Sequence, residues 1–216
     1  MKNILVCCIT CLMIITSSFP FTISVEAATK KENRAIMGTS ALKPQQMADY
    51  VKTKNPKNVR LHGTTVEELA KLFIILGAKE GVRGDVAFAQ ALKETGYFRY
   101  GGDVLPKQHN YSGIGTTGKG VKGHFFRSPH QGVLAQIQHL KAYASKDNLN
   151  STRVDPRFHY VKRGSATTWP ALHRKWAMQP QAITATRFSL FIKRWDRQNS
   201  ASPKNERTIM TYRGER

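Results

Sequence analysis

The stretch VAFAQALKETGYFRY at residues 86–100 decides the fold prediction for this chain. Its first half has small and apolar residues at helical spacing, and Gly96 is placed to end the helix in a left-handed turn. Glu94 therefore falls in the last helical turn, where a cleft can begin. Neighbours such as Leu92 and Phe98 are expected to desolvate its carboxyl group and raise its pKa, as a general acid near neutral pH requires.

Further helices are predicted on both sides of this stretch. Thr64 and Thr65 each precede a glutamate three residues later, which is the pattern of a capping box at a helix start. Apolar residues then recur at helical spacing as far as Leu76, and Gly81 ends that helix. Another helix is expected to begin near Pro44, and Asp85 is expected to cap the helix that carries Glu94. A further helix is expected to begin after Ser128, which is followed by Pro129 and by Gln131 at the third helical position.

Residues 97–126 are rich in glycine and have no long periodic run. This segment is expected to form loops and a small β-hairpin over the cleft. The predicted fold class is therefore α+β, mainly α, with a small glycine-rich β lobe.

Three segments resemble the glucosaminidase domain of bacterial autolysins, glycoside hydrolase family seventy-three. They are residues 86–100, the pair GGDV (101–104) and NYSGIG (110–115), and GVLAQIQHLKAY (132–143). The resemblance covers about residues 36–176 and implies a lysozyme-like, mainly helical domain that cuts the glycan strands of peptidoglycan. It also implies that the catalytic glutamate of the family corresponds to Glu94.

A second catalytic group is less sharply defined by the sequence. Glycosidic cleavage commonly uses paired carboxyl groups, about 5–5.5 Å apart for retention and about 6.5–9.5 Å apart for inversion. Asp103 is the nearest candidate, in a glycine-rich loop that can also be explained as a simple turn. Glu80 and Asp155 are weaker candidates. The resemblance further implies that the substrate's own N-acetyl group can act as the nucleophile, which would make a second carboxylate unnecessary.

Several residues near Glu94 are candidates for contact with substrate. Tyr111 follows Asn110 where the family carries an aromatic residue beside the active site, so its hydroxyl is a candidate for bonding developing charge or the acetamido group. Packing beneath the lobe is the alternative. The aromatic residues expected to stack on sugar faces, each also explicable as core, are Tyr97, Phe98, Tyr100 and Phe126. Asn110 is a further candidate for contact with substrate.

No cofactor or metal site is expected. The histidines lack the spacing of a His-Glu-x-x-His motif, and His139, just off the apolar stripe of its helix, is predicted to be a packed neutral histidine. All three cysteines lie between residues 7 and 11.

Residues 1–27 have the pattern of a secretory signal peptide, with Lys2, an apolar core and Ala27 before the cleavage point. Residues 28–35 form a basic leader and 36–176 the glucosaminidase-like domain. Cleavage would remove every cysteine, and with them any disulfide or thiol nucleophile. We therefore expect a secreted, wall-associated monomer without stable membrane insertion after cleavage.

The net charge of the full chain is +20, and loss of the signal peptide leaves it unchanged because one base, Lys2, and one acid, Glu26, are removed. For an exported protein this charge favours peptidoglycan and anionic wall polymers as partners. Specific binding to nucleic acid is not expected, since no nucleic-acid-binding signature accompanies the charge.

Residues 177–216 depart from the family pattern. Trp176 and Ala177 match it, but the Pro-Gly and Tyr-Gly pairs that usually follow are replaced by MQPQAIT at 178–184. Codons for these residues, shifted by two bases, can encode a family-like sequence. We interpret 177–216 as a divergent basic tail that is either out of frame or a changed terminal helix.

These observations favour an exported endo-β-N-acetylglucosaminidase that acts on peptidoglycan. Two alternatives remain open at this level. A lytic transglycosylase also needs one acidic glutamate but forms an anhydro product. A non-catalytic basic protein that binds wall or nucleic acid would fit the altered tail, but would not explain Glu94.

Overall fold

A computed structural model describes residues 35–172 and 175–176. This part of the chain is mainly helical, as predicted. The predicted signal peptide, almost all of the basic leader and the divergent tail lie outside the described residues. The helices are α1 (Pro44–Lys54), α2 (Val66–Glu80), α3 (Gly84–Glu94), α4 (Pro129–Ala144) and the short α5 (Trp169–Leu172), with 3₁₀ turns at Pro106–Gln108 and Phe158–Tyr160.

Two helix starts follow the predicted capping chemistry. The Thr65 hydroxyl accepts a hydrogen bond from the Glu68 N–H at 3.2 Å, and the Glu68 carboxylate accepts one from the Thr65 N–H at 2.8 Å. Of the two boxes expected from the sequence, the second therefore caps α2. At the start of α4, the Ser128 hydroxyl accepts from the Gln131 N–H at 3.2 Å.

The prediction that Asp85 caps α3 is wrong. The cap position is occupied by Arg83, and Asp85 lies inside the first turn with its side chain buried. Its carboxylate accepts hydrogen bonds from the Arg83 guanidinium at 3.0 Å and from the Ala41 N–H at 2.9 Å. Asp85 therefore ties the segment before α1 to the start of α3, which is a tertiary role that local sequence does not indicate.

Glycines bring α2 and α3 into backbone contact. A Cβ atom at Gly84 would lie 2.1 Å from the Phe73 carbonyl oxygen, and one at Gly77 would lie 2.8 Å from the Gly84 Cα. Both distances are shorter than real Cβ contacts allow, so only glycine permits this crossing. The close approach fixes α3, and with it the end of α3, against the core.

The core lies among α2, α3 and α4. Phe73, Phe88, Phe98 and Tyr111 are at most 1% exposed and form edge contacts with ring centroids 5.4–6.4 Å apart, the geometry that aromatic pairs prefer. The predicted apolar faces are confirmed for both long helices: Val66, Leu69, Phe73 and Leu76 on α2, with Leu72 only partly buried, and Val133, Leu134, Ile137, Leu140 and Ala144 on α4.

The glycine-rich lobe is present, but the β-hairpin predicted in it does not form. Across residues 101–126 the structure has only an isolated bridge between Gly118 and Val121. Six glycines of the lobe adopt positive φ, which interrupts an extended ladder. Asn110 holds the lobe instead: its amide donates to the carbonyls of Ile114 at 2.9 Å and His124 at 3.1 Å. No helix in the described part of the chain is long and apolar enough to cross a membrane.

Candidate active site

Glu94 is the last residue of α3, and the turn after it is closed by Thr95. The Thr95 hydroxyl donates to the Ala91 carbonyl at 2.7 Å and accepts from the Phe98 N–H at 3.0 Å. Gly96 follows with φ 59°, the left-handed conformation predicted for it. The helix thus ends where the sequence indicated, with Glu94 at its terminus.

The turn after Glu94 is strained. Tyr97, Phe98 and Tyr100 have φ of 60°, 61° and 57° although none is glycine, a conformation that costs about 1–3 kcal/mol per residue. Backbone hydrogen bonds hold it, from the Tyr97 N–H to the Leu92 carbonyl at 2.6 Å and from the Tyr100 N–H to the Thr95 carbonyl at 2.9 Å. Strain held in this way is typical of functional sites, because it fixes a side chain in advance of ligand binding.

The Glu94 carboxyl group stands where two cavities meet and lines both of them. Its side chain is 29% exposed, and its Oε1 lies 4.0 Å from the Lys93 ammonium. Among the described residues no hydrogen bond to this carboxylate is formed. Water therefore reaches the group although cavity walls surround it.

Burial raises the pKa of the Glu94 carboxyl, and the Lys93 charge opposes the rise only in part. The direction is the one predicted from the sequence. Leu92 and Phe98, which the sequence placed beside the carboxyl, are fully buried in the core. A raised pKa keeps a larger fraction of the group protonated at neutral pH, which is the state that can donate a proton.

The smaller cavity, of about 220 Å³, brings Asp103 together with Glu94. Tyr100 lines the same space, and its hydroxyl is buried with no hydrogen-bond partner among the described residues. Burial raises the pKa of this phenol, so it stays protonated and able to donate. Asp103 and Tyr100 are thus the two sequence candidates that share a cavity with Glu94.

The larger cleft, of about 750 Å³, extends from Glu94 between the glycine-rich lobe and α4. The lobe contributes Ser112 and residues 113–118. The opposite wall was not predicted from the sequence, since its residues come from separate segments that the fold brings together. Its side chains are mainly aromatic and basic: His139, Tyr143, Arg157, Tyr160, Lys162, Lys175 and Trp176.

The structure does not bring the remaining sequence candidates into either cavity. Phe98 is 0% exposed and packs between Phe88 and Tyr111, so it offers no face to a sugar. Asn110 is 1% exposed, and its side-chain amide is hydrogen-bonded within the lobe. Tyr97 packs beside Tyr50, with ring centroids 6.3 Å apart.

Tyr111 occupies an intermediate place. Its ring is 1% exposed within the core, and its buried hydroxyl has no partner among the described residues. Burial, and then the neighbouring Tyr100 phenol, raise the pKa of Tyr111. The packing role weighed for Tyr111 is therefore observed.

The two weaker carboxylate candidates are buried and bonded to other side chains. Glu80 forms an ion pair with the Lys141 ammonium at 3.0 Å, and Asp155 is hydrogen-bonded to His139 Nδ1 at 2.7 Å. Neither carboxylate lines a cavity with Glu94. No group of three or more metal-ligating side chains suited to an ion occurs among the described residues.

Comparison with known proteins agrees with this architecture. The family model described as mannosyl-glycoprotein endo-β-N-acetylglucosaminidase matches residues 70–186, which include α3, Glu94, the lobe and α4. An uncharacterized protein of Borreliella burgdorferi is 48% identical over 132 residues, which cover 61% of this chain and 65% of the relative, so the chain spans about two thirds of that protein. No solved structure matches the chain. Because the family model covers more than half of its length, the chain belongs to the glucosaminidase family.

Proposed function

We propose that this protein is a peptidoglycan hydrolase that cleaves glycan strands at N-acetylglucosamine linkages, with Glu94 as the general acid. The observation that carries the proposal is the Glu94 carboxyl at the junction of two cavities, with a raised pKa and no hydrogen bond from the described residues. Membership in the glucosaminidase family supports the substrate class.

In the proposed mechanism the glycan strand lies in the larger cleft, and protonated Glu94 donates its proton to the glycosidic oxygen as the bond to the anomeric carbon breaks. Positive charge develops at that carbon. The carboxylate left on Glu94 carries a negative charge near that carbon. Because the adjacent strained turn already holds Glu94 in position, the side chain does not have to move as the charge develops. Water then adds to the anomeric carbon and transfers its excess proton to the Glu94 carboxylate, which restores the acid.

The positive charge can be stabilised in two ways. Asp103 shares the smaller cavity with Glu94 and can supply a carboxylate. The acetamido oxygen of the substrate can instead attack the anomeric carbon of its own sugar ring, in which case no second carboxylate is required. The first route makes Asp103 essential, whereas the second makes it supportive.

Purified protein incubated with peptidoglycan, followed by analysis of the fragment ends, tests the proposal. We expect new reducing N-acetylglucosamine ends. Glu94→Gln keeps the shape of the side chain but removes the proton, and should lower the rate about 10²–10⁴-fold. Asp147→Asn is a matched control, because Asp147 is exposed and lies outside both cavities.

Each other result has a defined meaning. Anhydro ends in place of reducing ends would indicate a lytic transglycosylase. A Glu94→Gln protein that digests walls at the unchanged rate would exclude Glu94 as the acid. If the unaltered protein releases nothing, a binding function without catalysis becomes the better explanation.

Export and wall attachment are also part of the proposal. They are supported by the signal-like pattern of residues 1–27 and by the net charge of +20. Electrostatic binding should weaken strongly in 1 M salt, where charges are screened over about 3 Å. Binding to isolated walls, measured by sedimentation across a salt series, should therefore fall. Binding that ignores salt and the anionic polymer content of the wall would contradict this part.

A further inference from the structure

His139 and Asp155 form a pair whose imidazole lines the larger cleft. The His139 Nδ1 lies 2.7 Å from the Asp155 Oδ2, and His139 belongs to the cleft wall that also includes Tyr143 and Trp176. The Asp155 side chain is 0% exposed and that of His139 is 12% exposed. The buried Asp155 carboxylate is thus linked to the cleft through the His139 ring, which lies at the surface of the cleft.

Asp155 is itself held rigidly. Its Oδ1 accepts a hydrogen bond from the Arg157 N–H at 2.9 Å, and its own N–H donates to the Gln138 side-chain oxygen at 3.1 Å. A carboxylate fixed in this way determines which nitrogen of the histidine carries the proton, because it accepts only from Nδ1–H. The neutral ring therefore has its free lone pair on Nε2.

Aromatic neighbours fix the plane of the ring. The His139 ring meets Tyr143 edge-on at 5.4 Å between centroids and Trp176 at 4.9 Å, with interplanar angles of 83° and 79°. In the described part of the chain Nε2 has no hydrogen-bond partner. The ring is thus held in place beside the cleft that Glu94 lines, and none of the described residues uses its Nε2.

We propose that His139 is a glycan-positioning residue, whose Nε2 accepts a hydrogen bond from a sugar hydroxyl or an acetamido N–H in the larger cleft, with Asp155 setting the tautomer. This inference rests on the proposed function and adds to it a polar contact on the α4 side of the cleft. No group is transferred by His139, so the chemistry at Glu94 is unchanged. The effect of His139 is on how firmly, and in which register, the strand is held.

A purely structural role would use only Nδ1, since the bond to Asp155 ties the segment after α4 back to that helix. Two substitutions separate the two nitrogens. In His139→Asn the shorter amide can still bond Asp155 but cannot reach the position of Nε2. In His139→Gln the amide oxygen can reach the position of Nε2 but the bond to Asp155 is lost. His130→Asn is the matched control, since His130 is exposed on the same helix and outside the cleft.

The experiment measures the Kd of a soluble oligosaccharide of alternating N-acetylglucosamine and N-acetylmuramic acid, by calorimetry, with full-length Glu94→Gln protein as the parent. Adding His139→Asn should raise Kd about tenfold, the scale of one lost hydrogen bond, while Tm stays near that of the parent. Adding His139→Gln should change Kd less. In proteins that retain Glu94, the Asn variant should raise KM with kcat nearly unchanged.

The reverse order would overturn the inference, namely a tight-binding Asn variant and a weak-binding, less stable Gln variant. Equal Kd values for all variants would also refute it and leave the proposed function intact. If the oligosaccharide binds to none of the proteins, including the parent, the proposed function is itself refuted and the inference falls with it.

Discussion

Replacing Lys141 by methionine tests whether a buried ion pair holds the scaffold beneath the site. The Lys141 ammonium on α4 bonds Glu80 Oε2 at 3.0 Å, and the same oxygen accepts from the Asn150 N–H at 2.9 Å. The two side chains are 3% and 0% exposed. The pair therefore joins the end of α2, the last turn of α4 and the segment after α4 in the interior.

The expected cost follows from what remains after the substitution. Methionine fills a similar volume, so packing changes little, but Glu80 becomes a buried carboxylate without a cation. Its other oxygen, Oε1, has no hydrogen-bond partner among the described residues. Breaking a buried pair from one side costs about 3–5 kcal/mol. For a domain of this size that corresponds to a fall in Tm of roughly 6–20 °C.

The pH dependence of this loss has a definite sign. Burial alone would raise the pKa of Glu80, but the Asn150 N–H and the Lys141 ammonium outweigh it and hold the pKa below its usual value. The stability that the carboxylate contributes is therefore present above its unfolded pKa and disappears as pH falls through the folded pKa. Thermal unfolding by circular dichroism should show the largest deficit of Lys141→Met at neutral pH and a smaller one in acid.

Two further variants make the result interpretable. Glu80→Gln combined with Lys141→Met removes both charges and should recover much of the lost stability, since no ion is then buried alone. Lys52→Met breaks an exposed pair with Glu67, whose atoms are 2.6 Å apart, and should hardly move Tm. A Lys141→Met protein that melts near the wild-type temperature at neutral pH, with no benefit from the second change, would refute this account of the pair.

Two other predictions follow from the site and its supports. Asp103→Asn should retain more activity on peptidoglycan than Glu94→Gln, because the acetamido route can replace a second carboxylate; an equal loss in both, with unchanged circular dichroism, would make Asp103 a catalytic partner. Gly132→Ala should destabilise the junction of α4 with the lobe, because a Cβ there would lie 1.8 Å from the His109 carbonyl oxygen; the fall in Tm should exceed that of Gly102→Ala, where nothing lies within 4 Å, and equal values would contradict the steric explanation.

Local sequence signals were sufficient for the parts of the fold that depend on neighbours in the chain. The Thr65 and Ser128 caps, the left-handed Gly96 and the apolar faces of α2 and α4 all involve residues within one or two turns of each other. The position of Glu94 at a helix end belongs to the same class. Such features follow from hydrogen-bond geometry and helical periodicity alone.

The errors concern partners that are distant in sequence. Local sequence predicts Asp85 as a helix cap, but in the fold its carboxylate accepts a hydrogen bond from the segment before α1. Asn110 was predicted to contact the ligand, but its amide donates to carbonyl groups within the lobe. The His139–Asp155 pair joins residues 16 apart along the chain, across the end of α4. Local sequence does not distinguish a polar side chain that binds substrate from one that supports the scaffold, since both roles require the same residue types.

Glu94 lies between a rigid helical side and a more adaptable glycine-rich lobe. Glycine-mediated contact between α2 and α3, the strained turn at Tyr97 and Phe98 and the buried pair of Glu80 and Lys141 all lie on the helical side. They fix the acid before a substrate arrives, and their strain is offset by the core. The lobe, without a β-ladder in the described residues, is held chiefly by side-chain amides and turns. A proton donor requires fixed geometry, whereas a polymeric strand must enter and leave. Mutations in the glycine contact between α2 and α3 or in the strained turn should therefore change kcat, whereas mutations in the lobe should, like those at His139, change KM.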